Sequence, residues 1–258
     1  MKFITKILRF VYSVYGFAMF LTIMIILFPI IVIASFFGKM KGGNIIYKLC
    51  IVWADVWFLL LGIYHTNIYD YPHDTTQQYI FLSNHISYLD IPMILKSVRK
   101  HHIRILAKSE MTKIPVFGYI YKSAVVQVDR NDPAKRAKSV MVLKSVIKKG
   151  VSVFICPEGT FNTTPQPLKE FYSGAFRIAI ETQTPIKPVL FLDTYDRLNY
   201  KSIFSLNPGR CRTVFLSETK TEGLTLNDMS SLKEKVYNEM EAALIKYKAS
   251  WITATKEI

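Results

Sequence analysis

The chain has 258 residues, half of them hydrophobic, with 17 Phe, 15 Tyr and a net charge of +14. That length suits one α/β domain plus an anchoring segment, and the composition is greasy for a soluble enzyme. The charge fits nucleic acid, an anionic lipid leaflet or an acidic protein. The apolar N-terminus favours the lipid and leaves nucleic acid without a role.

Phe10 to Gly38 carries no charged residue. A bilayer core needs about 20 apolar residues in a helix, so the run is long enough to enter one. It exceeds the apolar region of a signal peptide, and no small-residue cleavage site follows it. Pro29 predicts a kink or a break. A second, shorter apolar stretch, Leu49 to Tyr64, contains Asp55, and the basic turn Lys39-Met40-Lys41-Gly42-Gly43 separates the two. Basic residues flank the first run on both sides, so charge casts no vote between inside and outside. Two arrangements follow: a true span followed by an amphipathic segment, or a helical pair inserted from one side into a single leaflet, which is preferred because it puts both flanks at one anionic surface. The expected division is residues 1–68 for membrane anchoring and 69–258 for a globular domain at the cytoplasmic face.

From Tyr79 the pattern changes to short apolar runs alternating with helical segments. Strands are expected over Tyr79 to Leu82, Ile103 to Ala107, Val125 to Val128, Val151 to Ile155, Val189 to Leu192 and Arg212 to Leu216. Helices are expected over Asp90 to Lys100, from the N-cap Asp132 and Pro133 to Gly150, and over Gly174 to Glu181. Leu232, Val236, Met240 and Leu244 recur every fourth residue and mark a C-terminal amphipathic helix. This alternation predicts an α/β fold: a largely parallel sheet flanked by helices, with the N-terminal apolar helical pair anchoring it to the membrane.

Two loops carry candidate chemistry. Ser83-Asn84-His85-Ile86-Ser87-Tyr88-Leu89-Asp90 leaves a strand and opens a helix, where catalytic groups are often placed. His85 and Asp90, five apart across the turn, let the carboxylate hold one ring nitrogen and leave the other to accept a proton. Cys156-Pro157-Glu158-Gly159-Thr160 follows a strand and can turn backbone N–H groups toward an anion, although alone it reads first as an ordinary strand-to-helix turn. The three cysteines, Cys50, Cys156 and Cys211, form no CxxC pair, and the five histidines show no metal-ligand spacing. No metal site, disulfide framework or cofactor is therefore expected, and a reducing compartment is the simplest setting.

Taken in order, these blocks resemble the glycerolipid acyltransferases of the lysophosphatidate acyltransferase type. That family carries N-H-x-S-x-x-D, K-x-x-L-x-x-x-P-x-x-G, F-P-E-G-T-R-S and P-I-x-P-V. The corresponding residues are Asn84, His85, Ser87 and Asp90; Lys108, Pro115 and Gly118; Pro157, Glu158, Gly159 and Thr160; and Pro185, Ile186, Pro188 and Val189. The resemblance covers roughly Tyr79 to Leu192. It implies transfer of a fatty acyl group from acyl-CoA or acyl-acyl carrier protein to a lysophospholipid hydroxyl, 1-acyl-glycerol-3-phosphate first among them. His85 and Asp90 would be catalytic. Asn84, Ser87, Lys108, Arg130, Glu158, Gly159 and Thr160 would bind substrate, and membrane lipids and the donor would be the partners. Independently of the resemblance, the basic run Lys96, Arg99, Lys100, Arg104, Lys108 and Lys113 can meet the anionic donor or the leaflet, and any one of these residues is at least as readily a solvated surface charge.

The chain departs from the pattern at Phe161, which stands where the family has an arginine thought to contact the acceptor's phosphate. Lys108 and Arg130 are the cations that could replace it. A lyso amino-acid lipid acceptor would not need it. A catalytically silent lipid-binding protein is the rival of another class, and it has no use for an intact His85–Asp90 motif.

Overall fold

The computed structural model describes residues 2–114, 116–128 and 132–252. The chain opens with α1 (Lys2–Ser35), a π-helical turn (Gly38–Gly42) and α2 (Gly43–Leu60). α1 runs unbroken through Pro29. The ring removes one backbone donor, and the bonds of the flanking residues still hold the helix together.

The remaining elements alternate: β1 (Ile63–Tyr69), β2 (Ile80–Ser83), α3 (Asp90–Ser97), β3 (Ile103–Lys108), α4 (Phe117–Ala124), β4 (Val125–Val128), α5 (Pro133–Lys148) and β5 (Ser152–Ile155). They continue with α6 (Gly174–Thr182), β6 (Ile186–Phe191), α7 (Thr194–Arg197), β7 (Gly209–Phe215) and α8 (Met229–Lys246). The expected strands and helices form close to their anticipated bounds. Asp132 caps α5, its Oδ1 accepting from the N–H groups of Ala134 (2.9 Å) and Lys135 (3.2 Å). Leu232, Val236, Met240 and Leu244 are all buried.

The seven strands lie in the order β1-β7-β6-β2-β5-β3-β4. All pairings are parallel except β6 with β7. The sheet separates two cores. Ile80, Leu82, Val153, Ile155 and Leu190 meet α5, α6 and α8 on one face. Phe81, Phe154, Phe191 and Phe215 meet α2 and α3 on the other. Successive side chains of a strand point to opposite faces, which sends Phe81 away from Ile80 and Leu82.

Two sequence expectations need correction. β1 was not anticipated. It pairs along its whole length with β7, from Ile63 opposite Gly209 to Tyr69 opposite Phe215, so a division after residue 68 would cut a strand. Nor is α2 only an anchor. Tyr47, Ile51, Ala54 and Phe58 are buried in the core on this sheet face. Asp55, the charge within that apolar helix, pairs with Lys96 and with Arg99 (2.9 Å) at α3. α1 is bound to α2 in turn, as Trp57 Nε1 donates to the Gly16 carbonyl at 2.8 Å. Much of the other side of α1 stays apolar and exposed, including Ile4, Leu8, Ile25, Ile26 and Ile33.

The chain leaves the carboxyl end of β2 toward β3 on one side of the sheet, and leaves β6 toward β7 on the other. The cleft between β2 and β6 is therefore the topological switch point, where open α/β sheets place their ligands.

Candidate active site

His85 stands at that point, two residues beyond the end of β2. Its Nδ1 lies 2.8 Å from Asp90 Oδ2, with the His85 side chain 21% exposed and that of Asp90 fully buried. The same Asp90 oxygen accepts the backbone N–H groups of Ile86 (2.8 Å) and Ser87 (2.9 Å). The other carboxylate oxygen accepts the Thr194 hydroxyl at 2.8 Å. Four donors around this carboxylate hold it immobile. It can only accept, so His85 donates from Nδ1 and leaves Nε2 as the base.

The surrounding loop is fixed by buried polar side chains. Asn84 Nδ2 donates to the Phe191 carbonyl (2.9 Å), and Asn84 Oδ1 accepts the Phe191 N–H (2.8 Å). This pair clamps the exits of β2 and β6 together. Ser87 Oγ donates to the Leu198 carbonyl and accepts the Leu89 N–H at 2.9 Å. Glu158 Oε1 accepts the His85 N–H (2.8 Å), and Glu158 Oε2 accepts the Lys169 N–H (2.9 Å). Burial pushes the Glu158 carboxyl up to about 8, against the pull of those two N–H groups. Asn84, Ser87 and Glu158 are each at most 2% exposed. They are thus not open to substrate as the sequence suggested. Their polar atoms are spent on the backbone, and they position His85.

Gly159 turns the second loop at φ +74°, a conformation that favours glycine. Its N–H is already given to the Cys156 carbonyl at 3.0 Å, which removes it from the donors available to an anion. Thr160 Oγ1 accepts Lys169 Nζ at 2.9 Å. Asn162 N–H donates to the His85 carbonyl at 2.7 Å, so this loop and the histidine loop are joined on both sides of His85. Phe161, between them, lays its ring 4.4 Å from the His85 ring and 5.0 Å from that of Tyr88. Tyr200 stacks on Phe161 at 6.2 Å.

The fold that carries this site is found in a solved structure. The chain superposes on the crystal structure of the 1-acyl-sn-glycerophosphate (LPA) acyltransferase PlsC from Thermotoga maritima with a TM-score of 0.75, covering 97% of this chain and 99% of that one at 21% identity. The model of the family described as Acyltransferase matches residues 64–192. The chain belongs to that acyltransferase family. Among curated relatives, it is 32% identical over 168 residues to the mouse 1-acyl-sn-glycerol-3-phosphate acyltransferase alpha, covering 64% of this chain and 58% of that protein. It is 29% identical over 206 residues to the putative 1-acyl-sn-glycerol-3-phosphate acyltransferase acl-2 of Caenorhabditis elegans, covering 79% of this chain and 71% of that protein. The chain thus spans a little over half the length of the mouse relative.

Within this acyltransferase fold the sequence-predicted cations separate. Lys108 is exposed at the carboxyl end of β3, on the same edge of the sheet as His85. Arg130 lies outside the described residues. Of the basic run, Lys96 and Arg99 are paired to Asp55, and Arg104 is buried against backbone carbonyls. Lys100, Lys108 and Lys113 remain exposed. Sequence reasoning missed Thr194, Lys169, Tyr88 and Tyr200. Lys169 is nine residues from Thr160, whose hydroxyl its Nζ reaches, and no motif in the sequence marks it. Thr194 is 104 residues from Asp90, and no local pattern announces it.

Proposed function

We propose that this protein is an O-acyltransferase that works at a membrane surface. It moves a fatty acyl group from acyl-CoA or acyl-acyl carrier protein to the free hydroxyl of a lysophospholipid, with 1-acyl-glycerol-3-phosphate as the first acceptor. The observation that carries this reading is the 2.8 Å bond between His85 Nδ1 and a fully satisfied, buried Asp90. His85 Nε2 takes the proton of the acceptor hydroxyl, and the oxygen attacks the thioester carbonyl. Asp90 stabilises the imidazolium as it forms. Collapse of the tetrahedral intermediate breaks the C–S bond, and the imidazolium returns its proton to the leaving thiolate. No acyl-enzyme is required. The named activities of the curated relatives support the same acceptor class.

Two helices, Ile4–Ser35 and Gly38–Leu60, are long and apolar enough to cross a membrane. The burial of one side of α2 against the sheet favours insertion of the pair into one leaflet. The cytoplasmic face is the side proposed for the globular part.

A second acceptor is favoured by one feature. Where the family has its arginine, Phe161 builds an aromatic wall against His85 with Tyr88 and Tyr200. Such a wall makes no charge-assisted bond to phosphate and suits a lyso amino-acid lipid. The test compares kcat/KM for lysophosphatidate and lyso-ornithine lipid with one common donor. A higher value for lysophosphatidate supports the first reading, and a ratio favouring the amino-acid lipid overturns it. His85→Ala should abolish transfer to both acceptors while the protein still reaches the membrane. Near-normal transfer in that variant would remove the mechanism.

A further inference from the structure

A cavity of about 690 Å³ lies over the edge strand β4, between the turn that joins α1 to α2 and the helix α5. None of the His85 loop or the Glu158 loop lines it. Three strand spacings separate β4 from β2, about 14 Å. The cavity is therefore distinct from the acyl-transfer site.

Its walls bring together Lys39, Arg104, Lys122, Lys135 and Lys138. Among the described residues, the acid paired to this group is Asp132, 3.6 Å from Lys135. Arg104 is only 5% exposed. Its guanidinium donates to the carbonyls of Ile103 (2.8 Å) and Lys39 (3.2 Å) and to Asn44 Oδ1 (3.0 Å), all neutral acceptors. These bonds, with a longer one to the Met40 carbonyl (3.4 Å), engage Nη1 and Nη2 and bring no counter-charge to a buried cation, a setting that favours an anion nearby. Burial accordingly lowers its pKa. The same bonds fasten the basic turn, and Lys39 within it, to the sheet.

The rest of the lining is apolar, including Met40, Ile46, Val142 and Val146. Ser35 and Gly38 are also in the wall, and between them Phe36 and Phe37 are 83% and 61% exposed at the end of α1. The ligand that fits has an anionic head for the lysines and an apolar body continuous with the surface of the anchoring helices. We propose that this cavity binds the phosphate headgroup of an anionic diacyl lipid of the bilayer, whose chains leave past Phe36 and Phe37. The phosphates of coenzyme A share this chemistry, so the experiment includes them as a competing source.

The experiment measures retention of phosphatidylglycerol on the full-length protein by native mass spectrometry from a neutral maltoside detergent. Two variants address the cavity. The triple variant Lys39→Ala, Lys122→Ala, Lys138→Ala removes three exposed cations, and Val142→Trp fills the space with every charge kept. One saturable phosphatidylglycerol per chain is expected, with affinity at least tenfold weaker in both variants. Phosphatidylcholine should be retained equally by all forms, His85→Ala should bind phosphatidylglycerol as the unmodified chain does, and coenzyme A should not displace it. Unchanged affinity in both variants overturns the proposal. A loss in the triple variant alone would reduce it to diffuse surface attraction. Displacement by coenzyme A that depends on these residues would assign the cavity to the donor, and weakened binding in His85→Ala would place the lipid in the catalytic cleft. Each of these outcomes sinks the proposal.

Discussion

Replacing Asp90 by Asn separates the charge of this residue from its hydrogen bonds. In the protein, one carboxylate oxygen collects three donors, the His85 ring and the N–H groups of Ile86 and Ser87, while the other takes the Thr194 hydroxyl. An asparagine can point its carbonyl oxygen at the three donors and its NH2 at Thr194, whose hydroxyl can turn round and accept. Fold and tautomer of His85 are then kept, and the lost quantity is the attraction between carboxylate and imidazolium. Two unit charges about 4 Å apart at an effective dielectric of about 20 attract by about 4 kcal/mol, which bounds the loss at about a thousandfold in rate. Asp90→Asn should therefore lower kcat about 100- to 1,000-fold, with the KM of the acyl donor and the unfolding midpoint nearly unchanged. Asp90→Ala should also destabilise the protein by several kcal/mol, because Ile86 N–H, Ser87 N–H and Thr194 are left unpaired in a buried place at about 1–3 kcal/mol each. The assays are steady-state turnover in detergent micelles and thermal unfolding of the same preparations. A kcat for Asp90→Asn within tenfold of the unmodified enzyme, or a raised donor KM with kcat unchanged, would refute the role given to Asp90.

Other outcomes follow from the same geometry. Phe161→Arg should lower the KM for lysophosphatidate about tenfold or more through a charge-assisted bond to its phosphate, and an unchanged or raised KM would show that the phosphate does not approach this wall. Asn84→Ala should cost about 2–4 kcal/mol in chemical unfolding, because it strips the buried Phe191 N–H and carbonyl of their partners, and a loss below about 0.5 kcal/mol would show that the β2–β6 clamp is unimportant. Glu158 binds its proton more tightly in the folded chain than in the unfolded one, so its favourable contribution is full below about 4.5 and is lost as the pH rises through about 8. Across pH 5 to 8.5 the unmodified protein should thus lose stability relative to Glu158→Gln, and parallel profiles would remove this titration.

The sequence by itself determined what lies within a short window. His85 and Asp90 are five residues apart, and a single turn after a strand is enough to bring carboxylate and ring together. Strand alternation around Phe81 and the four-residue recurrence from Leu232 to Leu244 encode the faces that become the two cores. The charge-free run from Phe10 encodes a helix that the aqueous phase would not accept. What the sequence left open depends on partners far along the chain. Asp90 is held by Thr194, Asn84 by Phe191 and the His85 backbone by Glu158, at separations of 104, 107 and 73 residues. No periodicity spans such distances. Hence a motif that reads locally as a substrate contact at Asn84, Ser87 and Glu158 is, in the fold, a set of buried bonds to the backbone. The same limit hid β1, whose polar and apolar residues make a strand only because β7 supplies its hydrogen bonds, and it hid the second role of α2. An apolar helix is equally suited to lipid and to a sheet face, and only tertiary packing decided that Tyr47, Ile51 and Phe58 join the core on the sheet face and Trp57 turns to α1, while α1 presents Ile25, Ile26 and Ile33 outward.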